Sequence, residues 1–568
     1  MNYLLFEMVS NEIAKVSTLS ISDIYGKLEQ PPNPELGDVA FPCFSLSRIV
    51  KKAPQKIAED MCIQLLTQSQ QVFANITVNG GYLNFHLNKD EVLRQFFNIA
   101  KNEVLTSVAD LKEKTVIIEH TSVNPNASPH IGRARNALIG DAIVRLFKYF
   151  GCKVDVHYFV NDIGKQIALL VYCTKDKPDI SFNELLSLYV AANDELKLNP
   201  SMEGKVFDLL NRMESGDEKV FSEFSRIVDI CVKGQMEIFN EFGIFYDKYD
   251  YESQYVQARK TDEILSALKK TGRLFEDDDG RLVLNLEEFD LNPEHPYLPL
   301  TRGDKTSLYP LRDICYNIDK AKESAYKNIV VLGEDQRLYG RQVNAALSLL
   351  GYKGAEIVNY SFVLLPEGKM STRAGQVVLL EELMRDTVAY AKKTISEHRN
   401  ASKREDILPD DILPKQLAYG AIKYSILKCG NEKNVVFDRE NALNFQGDTS
   451  VYIQYSFARI QSLLKGEYLL DACENDLANL SHPLEWEIVK KILAFNRVLY
   501  SVADDYNFSS LCTYLFELCQ SFSRWYKECP IKNADEKMRA SRLFLASAIA
   551  SIVKDGLYIL GIETPNKL

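Results

Sequence analysis

The most constraining feature of the sequence is a strand–helix–strand pattern that begins at Thr115. An apolar, β-branched run, TVIIEHTS, is followed by helical apolar spacing over residues 131–150 and then by a second such run, KVDVHYFVND. Two strands that are joined through a helix run parallel in one sheet. The pattern therefore predicts a doubly wound α/β domain that is built on a parallel sheet.

The turn between the first strand and the helix reads NPNASPHIGRAR, residues 124–135. A helix N-terminus leaves backbone N–H groups unpaired and carries a partial positive charge, so it suits an anion. We expect His130, Gly132 and Arg133 to face such an anion. The alternative is a solvated turn whose histidine is hydrogen-bonded within the protein.

The rest of the chain divides around this domain, because 568 residues exceed what one hydrophobic core organises. Residues 1–108 are predicted to form a small α/β domain with a hairpin at Asn79-Gly80-Gly81. Residues 109–374 hold the parallel sheet, and residues 375–568 are predicted to be helical. Within the middle region, residues from about 167 to 300 indicate a mostly helical insertion. After it, LYPLRDI, NIVVLGEDQ and IVNYSFVLL are interpreted as further sheet segments.

Composition narrows the class of protein. No apolar run reaches the length of a membrane span, and the start MNYLLFEMVSNEIAKV predicts a folded helix rather than a signal peptide. The eleven cysteines and seven histidines show no metal-ligand spacing, which predicts reduced thiols and no structural metal. These features favour a cytoplasmic protein.

The net charge of −11 at first argues against a nucleic-acid partner. Most of the acidity lies in the middle of the chain, because the net charge is −3 over residues 1–110 and −1 over residues 451–568. The N-terminal region also holds a cluster of basic side chains: Arg48, Lys51, Lys52 and Lys56. Local basic faces near the two ends are therefore compatible with RNA.

A second stretch with candidate chemistry reads LPEGKMSTRAGQVV, residues 365–378. Its glycines flank Lys369, Met370 and Ser371, and a glycine-rich loop with cations and hydroxyls can close over a polyphosphate. It is not a Walker loop, because no glycine lies five residues before Gly368. The alternative is an exposed basic turn.

Together, HIG at the first turn and KMS after the last predicted strand resemble the two signatures of class I aminoacyl-tRNA synthetases. Finer segments resemble the arginyl-tRNA synthetase family from about residue 30 to the C-terminus: EHTSVNPNASPHIG, FVNDIGKQ, TSLYPLRDI, GEDQ, GKMSTRAGQVV, SVYIQYSFARIQSLL and GLYILGIETPNKL. The resemblance implies a class I Rossmann-type catalytic domain with ATP as substrate, Mg²⁺ bound with the ATP, and an arginyl-adenylate intermediate. It also implies that tRNA binds before arginine is activated.

The resemblance assigns roles position by position. It implies catalytic roles for His130 and Lys369, and an ATP site formed by His130, Gly132, Arg133, Lys369, Met370 and Ser371. It implies an arginine pocket formed by Glu119, Ser122, Asn124, Tyr309, Asp313 and Gln336. Carboxylates such as Glu119 and Asp313 suit the fork of donors on a guanidinium. The alternative role for Asp313 is the N-cap of a helix that follows LYPLR.

The resemblance also implies the macromolecular partner. The N-terminal domain would contact the elbow of tRNA, with Lys51 and Lys52 as candidates, and the helical C-terminal domain would bind the anticodon arm. There Tyr452 and Tyr455 are candidates for stacking on bases, and Arg459 for holding phosphate. The alternative for the tyrosines is packing within the helical domain. The implied enzyme is a monomer that binds tRNA(Arg), L-arginine and ATP and no membrane.

Two positions depart from the family pattern. Arg133 stands where the class signature ends in histidine, and Ile163 replaces the aromatic residue of the family's NDWG element. Lys369 is present, although many arginyl enzymes lack it. Three other functions stay open on the residues: a class I synthetase for another amino acid, a non-catalytic RNA-binding relative, and a nucleotidyltransferase of the HxGH type.

Overall fold

The structure is a computed structural model. It describes residues 3–101, 111–121, 123–126, 128–199, 201–323, 325–365, 368–369, 378–402, 412–466 and 474–565.

The N-terminal region folds as helices packed on a three-stranded antiparallel sheet. Its elements are α1 (Leu4–Val16), α2 (Ile21–Tyr25), β1 (Val39–Pro42), α3 (Phe44–Val50), α4 (Pro54–Gln68), β2 (Phe73–Asn79), β3 (Tyr82–Leu87) and α5 (Lys89–Lys101). The strands lie in the order β1-β3-β2. The expected hairpin is present, because Asn79 pairs with Tyr82 across a turn in which Gly80 has a φ of 62°.

The middle region contains the predicted strand–helix–strand unit. Its elements are β4 (Thr115–Glu119), α6 (Ile131–Tyr149), β5 (Lys153–Val160), α7 (Lys165–Cys173), α8 (Phe182–Leu198), α9 (Ser201–Glu214), α10 (Glu218–Glu241), β6 (Lys248–Tyr251), α11 (Ser253–Gln257), α12 (Lys260–Lys270), β7 (Leu274–Glu276), β8 (Leu282–Asn285), β9 (Tyr297–Pro299), α13 (Tyr309–Lys322), β10 (Lys327–Gly333), α14 (Arg337–Leu349), β11 (Glu356–Tyr360), β12 (Val363–Leu365) and β13 (Gly368–Lys369).

Five of these strands form one parallel sheet in the order β11-β10-β4-β5-β6. The chain leaves β4 toward β5 and later returns to β10 on the other side of β4. This reversal opens a crevice beyond the carboxyl ends of β4 and β10, where ligands of such sheets bind. The predicted doubly wound architecture is confirmed.

Helix α6 lies close against the residue that follows β4. A side chain at Gly140 would bring its Cβ within 2.2 Å of the His120 ring, so only glycine allows this approach. The close packing fixes the N-terminus of α6 beside the end of β4.

One local expectation was wrong. LYPLRDI is not a sheet segment but the start of α13, because Pro310 presets the first helical turn and Leu311, Ile314 and Ile318 continue at helical spacing. The insertion is mostly helical, as expected, through helices α7 to α12. It also contributes strand β6 to the main sheet and adds a small antiparallel sheet of β7, β8 and β9.

Where the structure describes it, the C-terminal region is helical, as expected, apart from one two-residue strand. Its elements are α15 (Leu380–Ser402), α16 (Ile412–Leu427), β14 (Val435–Val436), α17 (Arg439–Ala442), α18 (Ser450–Leu464), α19 (Pro483–Leu493), α20 (Phe495–Asp505), α21 (Ser509–Glu528) and α22 (Glu536–Ile559). Strand β14 pairs with β12, which ties this region to the hairpin of β12 and β13.

Candidate active site

His130 is the N-cap of α6, at the turn where the sequence predicts an anion site. Its Nδ1 accepts a hydrogen bond from the Gly132 backbone at 3.1 Å, and its carbonyl accepts bonds from Arg133 and Ala134. The Ile131 N–H donates to the Val378 carbonyl at 3.2 Å. The expectation that this turn offers unpaired backbone N–H groups was therefore wrong. The turn can attract an anion only through its side chains and the helix dipole.

The side chain of His130 is neutral at physiological pH. Burial and the nearby Arg133 charge lower its pKa to about 4. Because Nδ1 accepts the Gly132 hydrogen bond, the single hydrogen of the neutral ring lies on Nε2, which is left as a donor. Arg133 makes no side-chain hydrogen bond or ion pair with any residue that the structure describes. The turn thus presents one neutral donor and one cation.

The HIG turn is joined to the chain just after the KMS segment. Leu380 donates its backbone N–H to the Pro129 carbonyl at 2.8 Å, and Ser128 Oγ lies 2.8 Å from both carboxylate oxygens of Glu381. At the N-terminal end of the KMS segment, Leu364 of β12 pairs with Lys369 of β13. Met370 and Ser371 lie outside the described residues, and of Lys369 only the backbone is described. The structure therefore places both ends of the KMS segment, with its C-terminal end against the HIG turn.

Asp313 lies at the centre of the predicted arginine pocket. The Tyr339 hydroxyl donates to its Oδ2 at 2.5 Å, and Asn317 Nδ2 donates to its Oδ1 at 2.7 Å. Burial and the negative charge of Glu119 raise its pKa to about 6. The alternative role as an N-cap was wrong, since Leu308 caps α13.

Glu119, at the carboxyl end of β4, forms an ion pair with Lys320 of α13. The Lys320 side chain is buried and lies over the Tyr316 ring, 4.2 Å from its centroid. The pocket therefore holds two carboxylates, those of Glu119 and Asp313, and one amino group, that of Lys320. Sequence reasoning missed Lys320 and Tyr339. Lys320 lies two helical turns after Asp313, and Tyr339 lies one turn after Gln336. This spacing alone does not show that their side chains point into the pocket.

Tyr309 and Asn124 line a neighbouring cavity of about 250 Å³ at the carboxyl end of β5. The Tyr309 ring is half exposed and contacts Tyr339, with 5.1 Å between ring centroids. Asn124 Nδ2 donates to Gln166 at 3.2 Å. The structure thus brings Glu119, Asn124, Tyr309 and Asp313 together. Gln336 ends a short turn before α14, three residues from Tyr339, and Ser122 lies outside the described residues.

The structure shows two buried arginines that sequence reasoning did not single out. Their hydrogen bonds join the segments around the site. Arg312 Nε pairs with Glu252 at 2.7 Å, and burial raises the Glu252 pKa to about 7. Arg135 is fully buried, and its guanidinium donates to five backbone carbonyls in two loops: those of Ser361, Phe362, Gly430, Asn431 and Lys433. It thereby ties α6 to the loop before β12 and to the C-terminal region.

The residues predicted to contact tRNA differ in their exposure and in their contacts within the protein. Lys51 ends α3 in a left-handed conformation, and Lys52 pairs with Asp60 on an exposed face. Tyr452 is half buried, packs on Phe516 and hydrogen-bonds to Ser523. It belongs to helix packing in this structure.

Tyr455 and Arg459 instead share the outer face of α18. The Arg459 guanidinium lies over the Tyr455 ring and also over Tyr526 of α21, which is exposed. An exposed arginine between two aromatic rings is suited to stacking on bases and holding phosphate.

Comparison with known protein families agrees with this geometry. The catalytic-domain model of the class I tRNA synthetases (R) matches residues 95–439. The arginyl tRNA synthetase N-terminal domain matches residues 4–87, and the DALR anticodon binding domain matches residues 453–568. The chain belongs to the arginyl-tRNA synthetase family.

Curated members of the arginyl-tRNA synthetase family are similar over nearly the whole chain. An arginine–tRNA ligase of Methanococcus aeolicus is 34% identical over 97% of both chains. One from Methanocaldococcus jannaschii is 33% identical over 99% of this chain and 98% of the relative. Among solved structures, Thermus thermophilus arginyl-tRNA synthetase covers 100% of both chains with a TM-score of 0.82 at 25% identity. The predicted family and fold class are confirmed. No helix among the described residues could cross a membrane.

Proposed function

We propose that this chain ligates L-arginine to tRNA(Arg) with ATP, through an arginyl-adenylate, and releases AMP and pyrophosphate. Membership of the arginyl-tRNA synthetase family supports the reaction. The observation that carries the assignment is a pocket of matched charge, formed by Glu119, Asp313 and Lys320, that lies in the same crevice as the HIG turn.

The charge of the pocket fits arginine. Glu119 and Asp313 carry two negative charges and Lys320 carries one positive charge, so a bound guanidinium makes the set neutral. Asp313 is held by Tyr339 and Asn317 and has lone pairs left for the guanidinium. Tyr309 adds a ring or hydroxyl at the rim, and Asn124, Gln336 and Ser122 are proposed for the α-amino and carboxylate end.

The ATP site is proposed at the HIG turn and the KMS segment. The Nε2–H of neutral His130 donates to phosphate, and Arg133 supplies the charge, close to the backbone of Gly132. Lys369, Met370 and Ser371 are proposed to close over the triphosphate. Magnesium enters as part of the MgATP substrate, because Mg²⁺ in such sites is held mainly by phosphate oxygens and waters. The enzyme then acts by positioning and charge neutralisation.

The tRNA is proposed to contact both ends of the chain. The anticodon arm meets the face of α18 that bears Tyr455 and Arg459, near half-buried Tyr452, and the elbow meets the region of Lys51 and Lys52. We also propose that arginine activation requires bound tRNA, that the enzyme acts as a monomer, and that it works in the cytoplasm.

The decisive experiment is aminoacylation of total tRNA with each of the twenty amino acids, on the wild type and on His130→Ala, Lys369→Ala and Arg133→His. Charging by arginine alone, with a strong loss in the two alanine variants, is expected. Arg133→His restores the class signature and is expected to remain active.

Two results would contradict parts of the proposal. If tRNA binds but no amino acid is charged, the chain is a non-catalytic relative, and recovery of charging in Arg133→His would locate the cause. If arginine-dependent pyrophosphate exchange proceeds without tRNA, the tRNA requirement is wrong while the ligase assignment stands.

A further inference from the structure

A second cluster of ionisable side chains lies behind the arginine pocket, at the edge of the parallel sheet. A cavity of about 330 Å³ opens there, lined on its sheet side by His157 and Asp250 and on its helix side by Asp319, Lys320 and Glu323. Asp155 lies two residues before His157 on β5 and therefore faces the same side of the sheet. The arginine reaction uses none of Asp155, His157, Asp250 and Glu323.

His157 provides the observation that points to a ligand. Its side chain is buried, at 2% exposure, and its Nδ1 lies 2.7 Å from Asp250 Oδ2. An ionised carboxylate only accepts hydrogen bonds, so Nδ1 carries a hydrogen, and Nε2 is the ring nitrogen whose lone pair can bind a ligand. Nε2 makes no hydrogen bond with any described residue. A carboxylate that orients a histidine in this way is the usual partner of a metal-binding imidazole.

The donor atoms lie close enough together to bind one shared metal ion. His157 Nε2 lies 3.4 Å from Asp155 Oδ2, and the donor atoms of Asp155, His157 and Glu323 all lie within 4.8 Å of one another. Bond lengths of about 2.1 Å at a tetrahedral angle place two ligand atoms about 3.4 Å apart. The Glu323 side chain is 42% exposed at the end of α13, so it can turn to close the remaining distance.

The charge of the cluster also favours a cation. Asp155, Asp250 and Glu323 bring three negative charges to the imidazole. Lys248 reaches this group, at 2.6 Å from Asp155 and 3.6 Å from Glu323. Its ammonium occupies the position between the two carboxylates, and its side chain is 45% exposed, so it can turn out to solvent.

We propose that Asp155, His157 and Glu323 bind a divalent first-row transition-metal ion, with Asp250 orienting the imidazole and Lys248 as a competing internal cation. One imidazole and two carboxylates suit Mn²⁺ or Zn²⁺, whereas Mg²⁺ and Ca²⁺ prefer all-oxygen sites. The ion joins β5 to the C-terminal end of α13, the helix that carries Tyr309 and Asp313 at its other end.

The test is titration of the full-length, chelator-treated protein with Mn²⁺, followed by the EPR signal of free Mn²⁺. Mn²⁺ is the probe because it prefers oxygen and imidazole donors to the thiols of this chain. We expect one saturable equivalent, weakened by about tenfold or more in Asp155→Asn and in Glu323→Gln, the size typical of a lost metal-site partner. Glu323 is exposed, so Glu323→Gln tests the site without disturbing the core.

The Lys248→Met variant distinguishes a metal-binding site from a cluster whose charges are already balanced by internal ion pairs. Removing the competing ammonium is expected to tighten Mn²⁺ binding by about tenfold, whereas Lys260→Met, a lysine of the same cavity that pairs with Asp319, leaves it unchanged. No saturable binding, binding that survives both Asp155→Asn and Glu323→Gln, or a Lys248→Met protein that binds no more tightly than the wild type would overturn the proposal.

Discussion

At the scale of single residues, the site depends on side chains whose charge state is set by their surroundings. His130 is held neutral by burial and by Arg133, so it acts as a donor rather than as a cation. Asp313 has a raised pKa because burial and Glu119 both oppose its charge, and a bound guanidinium reverses that balance. Ionisation of the Asp313 carboxyl group is therefore unfavourable without substrate and becomes favourable when the arginine guanidinium binds beside it.

Arginine binding should weaken in acid because Asp313 must be ionised to bind a guanidinium. Its pKa of about 6 in the free protein means that the ionised fraction falls as the pH drops from 7.5 to 5. The Kd for arginine, measured by calorimetry, should rise over this range.

Asp313→Asn should raise the Kd at pH 7.5 by on the order of 10- to 100-fold, since a hydrogen bond to a charged group contributes about 1.5–3 kcal/mol. The variant should also lose most of the pH dependence. Asp319→Asn, on the same helix but paired with Lys260, is the matched control. An unchanged Kd in Asp313→Asn would contradict the assignment of the pocket.

At the scale of elements, the two signature segments are joined through backbone and side-chain contacts at the start of α6. Pro129 and Ile131 bond to Leu380 and Val378, and Ser128 hydrogen-bonds to Glu381 of α15. These contacts hold the residues at the end of the KMS segment and just after it against the HIG turn. The buried Arg135 reinforces the same junction through its carbonyl acceptors.

Ser128→Ala should weaken the contact between the HIG turn and α15, the helix that follows the KMS segment. Loss of a hydrogen bond to a carboxylate costs about 1.5–3 kcal/mol, and we expect the KM for ATP to rise by about tenfold. The Kd for arginine should stay unchanged, because Ser128 does not contact that pocket. Steady-state charging at varied ATP is the measurement, and Ser396→Ala on the exposed face of α15 is the control. An equal rise in both variants would show that the contact plays no role at the ATP site.

At the scale of the whole molecule, the two ends of the chain pack against each other. Asp38 of the N-terminal region accepts from Lys490 at 2.8 Å and from Trp486 at 3.3 Å, both on α19. The rings of Phe96 and Phe97 contact Phe544 of α22. The regions proposed to hold the elbow and the anticodon arm therefore share an interface and are positioned together.

Asp38→Ala should impair tRNA binding without affecting the arginine pocket. It leaves Lys490, which is only 20% exposed, without its partner, at a cost of about 1–3 kcal/mol at the interface. We expect a lower melting temperature and a several-fold higher KM for tRNA(Arg), with the Kd for arginine unchanged. Glu35→Ala, an exposed acid of the same region, is the control. A tRNA KM equal to that of the wild type would show that the interface does not position the two ends.

The sequence by itself determined the features that depend on local patterns. The period of apolar residues predicts the parallel strands and α6, and Asn79-Gly80-Gly81 predicts the hairpin, because both signals lie within a few residues. The two signature segments and their order identified the family. LYPLRDI failed as a sheet segment because seven letters are too few to show the helical period that continues to Ile318.

Only the tertiary structure decided which side chains meet. Lys320 reaches Glu119 across 201 positions, and Asp155 and His157 reach Glu323 only because α13 packs on the sheet edge. The Val378 carbonyl likewise takes the helix N–H that local reasoning left for an anion. Such contacts depend on how elements pack, and spacing along the chain carries no record of the direction in which a distant side chain points.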